Sequence, residues 1–372
     1  MAFAKSRASL HVVVLSCLAF LLGRNSVCIA HELQNRFGKV KGLFAFGSAQ
    51  ADNGNNNFIQ TLSKVNYTPY GIDFPLGPTG RFYIGKNVID LLGDRLRLPL
   101  LPPFNDPATT KDKILAGVDY GSGASGRLNH TGMALAGNTT NLNQQVKNFI
   151  EVTLPDLEAQ LGCSRNQLLP NYLFIFYTGG EDYLLDYFVR DPSGSIDTAL
   201  QKFTDTLLNS LYGHIKSIYS MGGRKFVLFG IEPSGCLPVV LAAEPGGECK
   251  HIVNQAAQLL NDGLKKLVDR ARFQLPASLL VFVNTNQILV DIINNPSSKG
   301  FGDARNPCCE VRGRGILCKV GGAVCRDRSA FVFFDGAHVT EAVNVVLADK
   351  AFSSIFAKSE VYPINVYQLA LL

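Results

Sequence analysis

The sequence predicts an α/β fold: a mainly parallel sheet with helices on both faces. Three observations lead there. Short apolar runs alternate with longer amphipathic stretches, which is the pattern of βα units. The chain has 372 residues and 47% hydrophobic content, enough for one large core and too much for a disordered or disulfide-only module. Gly- and Pro-containing clusters around 71–80, 232–247 and 296–307 punctuate the runs as loops, and no repeat or flexible linker divides the chain.

Taken in order, residues 1–30 read as a secretory signal. Lys5 and Arg7 precede an apolar run from Leu10 to Leu22, and Cys28-Ile29-Ala30 offers a small-residue cleavage pattern. That run is shorter than the roughly 20 residues a bilayer-spanning helix needs. No later stretch is long enough either, so the expectation is a secreted, extracellular protein without a stable membrane span, with residues 31–372 forming one domain. Strands are predicted at Gly42–Phe46, Gly117–Tyr120, Tyr172–Tyr177, Lys225–Gly230 and Leu279–Val283. Between them, Ile196, Leu200, Phe203, Leu207, Leu211, Ile215 and Ile218 recur at three- and four-residue spacing, which predicts a helix with one face on the sheet. Val253 through Ala271 repeats the pattern.

Composition narrows the function classes. Lysine and arginine total 35 against 30 acidic residues, and three of the bases stand in the first thirty residues, leaving 32 against 30. A balance this even gives no basic face for DNA or RNA, so nucleic acid is not expected as a partner. Beyond the leader the cysteines are Cys163, Cys236, Cys249, Cys308, Cys309, Cys318 and Cys325. Cys236 and Cys249 flank one loop and the last four crowd together, so local bridges are expected there, with Cys163 left as a buried free thiol. A zinc site is the weaker reading, because no Cys-x-x-Cys pair and no histidine falls inside the cluster. Sequons at Asn66, Asn129 and Asn138 fit a secretory route. No nucleotide cofactor is implied, since no phosphate-loop spacing follows a strand, and no metal site is expected.

In an open parallel sheet ligands bind beyond the carboxyl ends of the strands. The segments there are Gly47-Ser48-Ala49-Gln50-Ala51-Asp52-Asn53-Gly54-Asn55-Asn56, Gly121-Ser122-Gly123-Ala124-Ser125-Gly126, Thr178-Gly179-Gly180-Glu181-Asp182 and, late in the chain, Phe334-Asp335-Gly336-Ala337-His338. In this order they resemble the plant branch of the GDSL esterase/lipase family, the SGNH hydrolases. Pro78-Thr79-Gly80-Arg81-Phe82, the Cys308-Cys309 pair and the run on to Glu341 are further landmarks of the resemblance. It implies a flavodoxin-like three-layer α/β/α sandwich and, for the family, hydrolysis of carboxylic esters by a serine nucleophile, a histidine base and an aspartate that orients it.

The resemblance assigns Asp335 and His338 as orienter and base. The nucleophile position is occupied by Ala49, where the family's Gly-Asp-Ser-Leu reads Gly47-Ser48-Ala49-Gln50. Glu181 stands where the family has an asparagine oxyanion donor; Gly123 is the expected oxyanion glycine and Gly80 the alternative. A methyl group cannot attack a carbonyl, and removing a triad serine costs on the order of 10⁶ in turnover. Losing one oxyanion donor costs roughly 10² to 10³. The leading expectation is therefore a protein without standard acyl-enzyme chemistry that binds a ligand or a protein. An acyl-ester or lipid-like small molecule fits the family's cleft, and relatives that associate with glucosidases allow a protein partner of that kind. The alternative is a working ester or lipid hydrolase that uses Ser48, or water activated by His338 and Glu181. Ser48 points to the other side of the chain if strand alternation persists past Gly47. Asp52 and Asn55 are expected to organise the first loop through side-chain to backbone hydrogen bonds. His31, His130, His214 and His251 are read as surface or helix residues.

Overall fold

The computed structural model describes residues 40–191, 197–313, 315–354 and 359–372. The leader, His31 and Ile196 lie outside the described residues. The strands are β1 (Gly42–Gly47), β2 (Gly117–Asp119), β3 (Tyr172–Tyr177), β4 (Lys225–Phe229), β5 (Leu279–Val283), β6 (Asp303–Pro307), β7 (Phe331–Phe333) and β8 (Val361–Tyr362). The central sheet runs β2-β1-β3-β4-β5-β8, and only β8 is antiparallel, against β5. β6 and β7 form a separate parallel pair. The five sequence-predicted strands are present with their ends moved by at most a residue.

Seven helices position the site: α1 (Val88–Arg95), α2 (Leu142–Asn148), α3 (Leu154–Leu161), α4 (Thr198–Ser220), α5 (His251–Gln274), α6 (Thr285–Asn294) and α7 (Glu341–Ser353). Each long one starts for a local reason or is held by its stripe. At the head of α4 the Asp197 carboxylate accepts from the Ala199 and Leu200 amides at 2.9 and 3.0 Å, and Leu200, Leu207, Leu211, Ile215 and Ile218 are buried. Asn87 and Asp90 make a capping box at the head of α1. In α5 the buried stripe from Val253 to Ala271 matches the sequence pattern.

Alternation along the strands divides the core into two layers. Leu43, Ala45, Leu173, Ile175, Val227 and Val281 face one side and pack with Val88, Leu92, Ile288, Val343 and Leu347 of α1, α6 and α7. Phe44, Phe46, Phe174, Phe176, Phe226 and Leu228 face the other and pack with Val146, Leu157, Leu211, Ile215, Leu264 and Val268 of α2 to α5. This is a three-layer α/β/α arrangement. The register sets Phe44 beside Phe174 and Phe174 beside Phe226, so the second layer is largely aromatic. Burying each such ring contributes about 1.5–3 kcal/mol, and a charge anywhere in that row would break the layer.

Three disulfides are local, as expected: Cys236–Cys249, Cys308–Cys325 and Cys309–Cys318. Cys163 corrects the sequence reading, because it is disulfide-bonded and not a free thiol. Among the described residues no helix is long and apolar enough to cross a membrane.

Candidate active site

The loops at the carboxyl edge of the sheet converge on one cavity of about 300 Å³. β1 ends at Gly47 and the chain turns at once. The Ser48 amide donates to Tyr177 O at 3.1 Å, and the amides of Ala51 and Asp52 return to Ser48 O and Ala49 O. Consecutive side chains diverge there. Ala49 and Gln50 line the cavity, whereas Ser48 does not; its buried hydroxyl donates to Ser125 O at 2.7 Å, beside Thr178 Oγ1 at 3.2 Å, and meets the Glu181 carboxyl. Asp52 holds the turn as the sequence suggests: its Oδ1 accepts from the Gly54 and Asn55 amides at 2.8 and 2.7 Å, and its Oδ2 from the Gly123 amide at 2.8 Å. Burial pushes this carboxyl up to about 6 against those bonds. Asn55 ties the loop to the second strand through Asp119 O and Gly121 O.

Asp335 and His338 lie just beyond β7. Asp335 is fully buried, and the imidazole Nδ1 lies 2.9 and 2.8 Å from its two oxygens, while the Ala337 and His338 amides donate to Oδ1 at 2.9 and 2.7 Å. This fixes the proton on Nδ1 and leaves Nε2 for the cavity, which His338 lines. Burial opposes charge on the ring, but Asp335, joined by Glu181 and Glu232, outweighs it and raises the histidine above its ordinary value. Phe82 and Tyr83 hold the ring between them, with centroids 5.1 and 5.9 Å away. The Tyr70 hydroxyl donates to Asp335 Oδ2 at 2.7 Å and accepts from the Cys318 amide at 3.0 Å, so the Cys309–Cys318 bridge braces the pair from behind.

Two glutamates share the cavity. Glu181 follows β3, at the second position of a helical turn that Gly179 opens with φ 125°. Burial, reinforced by Glu232, pushes its carboxyl up to about 8, against its own amide and the Ser48 hydroxyl. It is therefore largely protonated at neutral pH and can donate as an acid. Glu232 follows β4 and is buried; its Oε1 accepts from Gln50 Nε2 at 3.1 Å, and burial raises it too. The two glutamates line the same cavity, and Glu232 is close enough to act on the Glu181 carboxyl. Gln50 Oε1 and Glu181 Oε2 are out of contact with solvent and have no hydrogen-bond partner. The walls are apolar, formed by Leu62, Phe82, Leu135, Leu184, Leu185 and Leu317 among others.

The structure separates the remaining sequence candidates. Gly123 does not line the cavity, and its amide is already committed to Asp52. Gly80 does not line it either; it sits at φ 98° against Gly54 and Asn57 as a turn glycine. The residue of the second loop that reaches the cavity is Ala124, held at φ 65°. Asp182, beside Glu181, is structural: it accepts from the Arg127 and Leu128 amides and from Thr131 Oγ1. Asn66, Asn129 and Asn138 are all exposed. His130 is exposed and lies 3.1 Å from Asp186, while His251 opens α5 and His214 lies within α4. Sequence reasoning missed Glu232, Gln50 and Tyr70. Glu232 sits in a stretch read only as a Gly/Pro loop, and its place after the fourth strand was the one available signal.

The arrangement orients an imidazole, holds two acids beside it and encloses both in apolar walls, while residue 49 presents a methyl group. Comparison with known proteins identifies the family. The GDSL-like Lipase/Acylhydrolase family model matches residues 43–351. A GDSL esterase/lipase of Arabidopsis thaliana is 37% identical over 347 residues, covering 92% of each chain. Another from the same plant is 38% identical over 368 residues and covers 96% of each, and GDSL esterase/lipase 7 is 35% identical over 339 residues, 89% of this chain and 92% of its own. With the family model matching residues 43–351 and these relatives covered over nearly their whole length, the chain belongs to the GDSL-like lipase/acylhydrolase family.

Proposed function

We propose that this protein is a secreted, glycosylated lipase-like module that binds a small ligand in the family cleft and does not run the family's acyl-enzyme reaction. The observation that carries the reading is the side chain at residue 49: Ala49 shares the cavity with His338, and a methyl group forms no bond to an acyl carbon. The orienting pair supports it as a retained scaffold, since Asp335 and His338 keep their hydrogen bonds with no hydroxyl on residue 49 to deprotonate. Ser48 does not substitute, because it does not line the cavity and its hydroxyl is engaged with Ser125 O and the Glu181 carboxyl. Three local disulfides and three exposed sequons support the secretory route. The apolar cavity supports a lipid-like or acyl-bearing ligand.

The test is turnover of short acyl esters by the purified native chain beside Ala49→Ser/Glu181→Asn. The native chain is expected to stay at the uncatalysed rate, and the double variant to gain esterase activity because His338 and Asp335 are already posed. Hydrolysis by the native chain that disappears in His338→Gln would replace this reading with that of a water-activating hydrolase.

A further inference from the structure

We propose that the cleft selects an amphiphile with a protonated amine head, its ammonium held among Gln50, Glu181 and Glu232 and its tail running along Leu184 and Leu185 to Leu62 and Leu135. This deepens the ligand-binding reading above and rests on it. The head end of the cavity is rich in acceptors that lack donors. Gln50 is nine-tenths buried and its Oε1 has no partner; Glu181 is half-buried, and its Oε2 is out of contact with solvent and unpartnered. Gln50 has already given its Nε2 to Glu232. Gln50 Oε1 can be satisfied only by an N–H or O–H donor, as can Glu181 Oε2 once that carboxyl ionises, and a buried acceptor left unmatched costs about 1–3 kcal/mol.

Charge decides which donor. Among the described residues lining the cavity there is no lysine or arginine, and the one cationic group, His338, is already paired with Asp335. A carboxylate ligand would bring its charge up against Asp335 and oppose ionisation of Glu181 and Glu232 further, with no free cation to meet it. An ammonium brings donors and positive charge together, and it lets the two glutamates, which burial holds above the usual carboxylate range, ionise in place. A metal ion is a poorer fit, because among the described residues no three His, Cys, Asp or Glu side chains gather closely enough to hold one. The tail path is given by the walls: Leu184 and Leu185 lie partly buried within the cavity, and Leu62 and Leu135 stand exposed at 78% and 53% where it opens.

The experiment is calorimetric titration of the full chain at neutral pH with octylamine, 1-octanol and octanoate, which share a tail and differ in the head. Octylamine is expected to bind at least about tenfold tighter than octanoate. In Glu181→Gln/Glu232→Gln that preference should collapse, while octanol, which reports an intact cleft, changes less than about threefold. Octanoate binding as tightly as octylamine in the native chain would overturn the inference whatever the variant does, and so would undiminished octylamine binding in a variant that still takes octanol. Binding of octanol and octanoate without amine preference sinks this inference alone. Failure of all three to bind sinks the ligand-binding reading beneath it as well.

Discussion

Replacing Glu181 with glutamine should change how stability depends on pH, and the size follows from the site. The carboxyl moves from an ordinary value of 4.5 to about 8 on folding. The folded protein therefore binds the proton more tightly than the unfolded chain does. The sign is fixed: the contribution is fully present below 4.5, is lost progressively as the unfolded chain ionises, and is exhausted once pH passes about 8. At about 1.4 kcal/mol per unit the full shift would be on the order of 4–5 kcal/mol. The side chain is partly open to the cavity, and solvent screening there reduces this to about 2 kcal/mol. Urea unfolding under non-reducing conditions at pH 5 and pH 8.5 measures it. The native chain should lose about 2 kcal/mol more than Glu181→Gln across that interval, and other buried acids such as Asp52 cancel in the comparison. Parallel profiles for the two proteins would refute the argument, because they would mean that Glu181 is already charged at neutral pH.

Two further substitutions test the frame around the site. Arg81 lies beside Asp90 in a buried bidentate pair, at 2.8 and 2.9 Å, so Arg81→Met should cost about 3–5 kcal/mol in urea unfolding, and Arg81→Met/Asp90→Asn should recover part of it. Tyr70→Phe removes one bond to Asp335 and orphans the buried Cys318 amide, for a loss of about 2–3 kcal/mol; in the Ala49→Ser/Glu181→Asn background it should lower kcat more than it raises KM.

The parts of the fold legible in the sequence are those with a strong period. β3 and β5 appear at their predicted ends because they are continuous apolar runs buried on both faces, and α4 and α5 because their stripes are long. β8 is two residues of the chain placed by its contact with β5, and β6 is Asp303–Pro307, which carries no apolar alternation; neither offers a periodic signal. In the site, Asp335, His338, Ala49 and Glu181 stand in segments with recognisable order, and all but Asp335 line the cavity, with Asp335 directly behind His338. The oxyanion glycines were less legible. Which amide of a Gly/Ser turn faces a cavity depends on one backbone rotation, and here Asp52 captures the Gly123 amide while Ala124 takes the left-handed position. Glu232 and Tyr70 act through space, from loops more than a hundred residues distant from His338, and no local spacing marks them.

The central claim is that the native chain forms no covalent acyl-type adduct, and intact-mass analysis after incubation with a reactive alkyl phosphonate tests it most directly. The account predicts an unchanged mass for the native protein and addition of one phosphonyl group in Ala49→Ser/Glu181→Asn, located by peptide mapping at residue 49. A phosphonyl group found on the native protein at Ser48 or any other single serine, and abolished by mutating that serine, would contradict it.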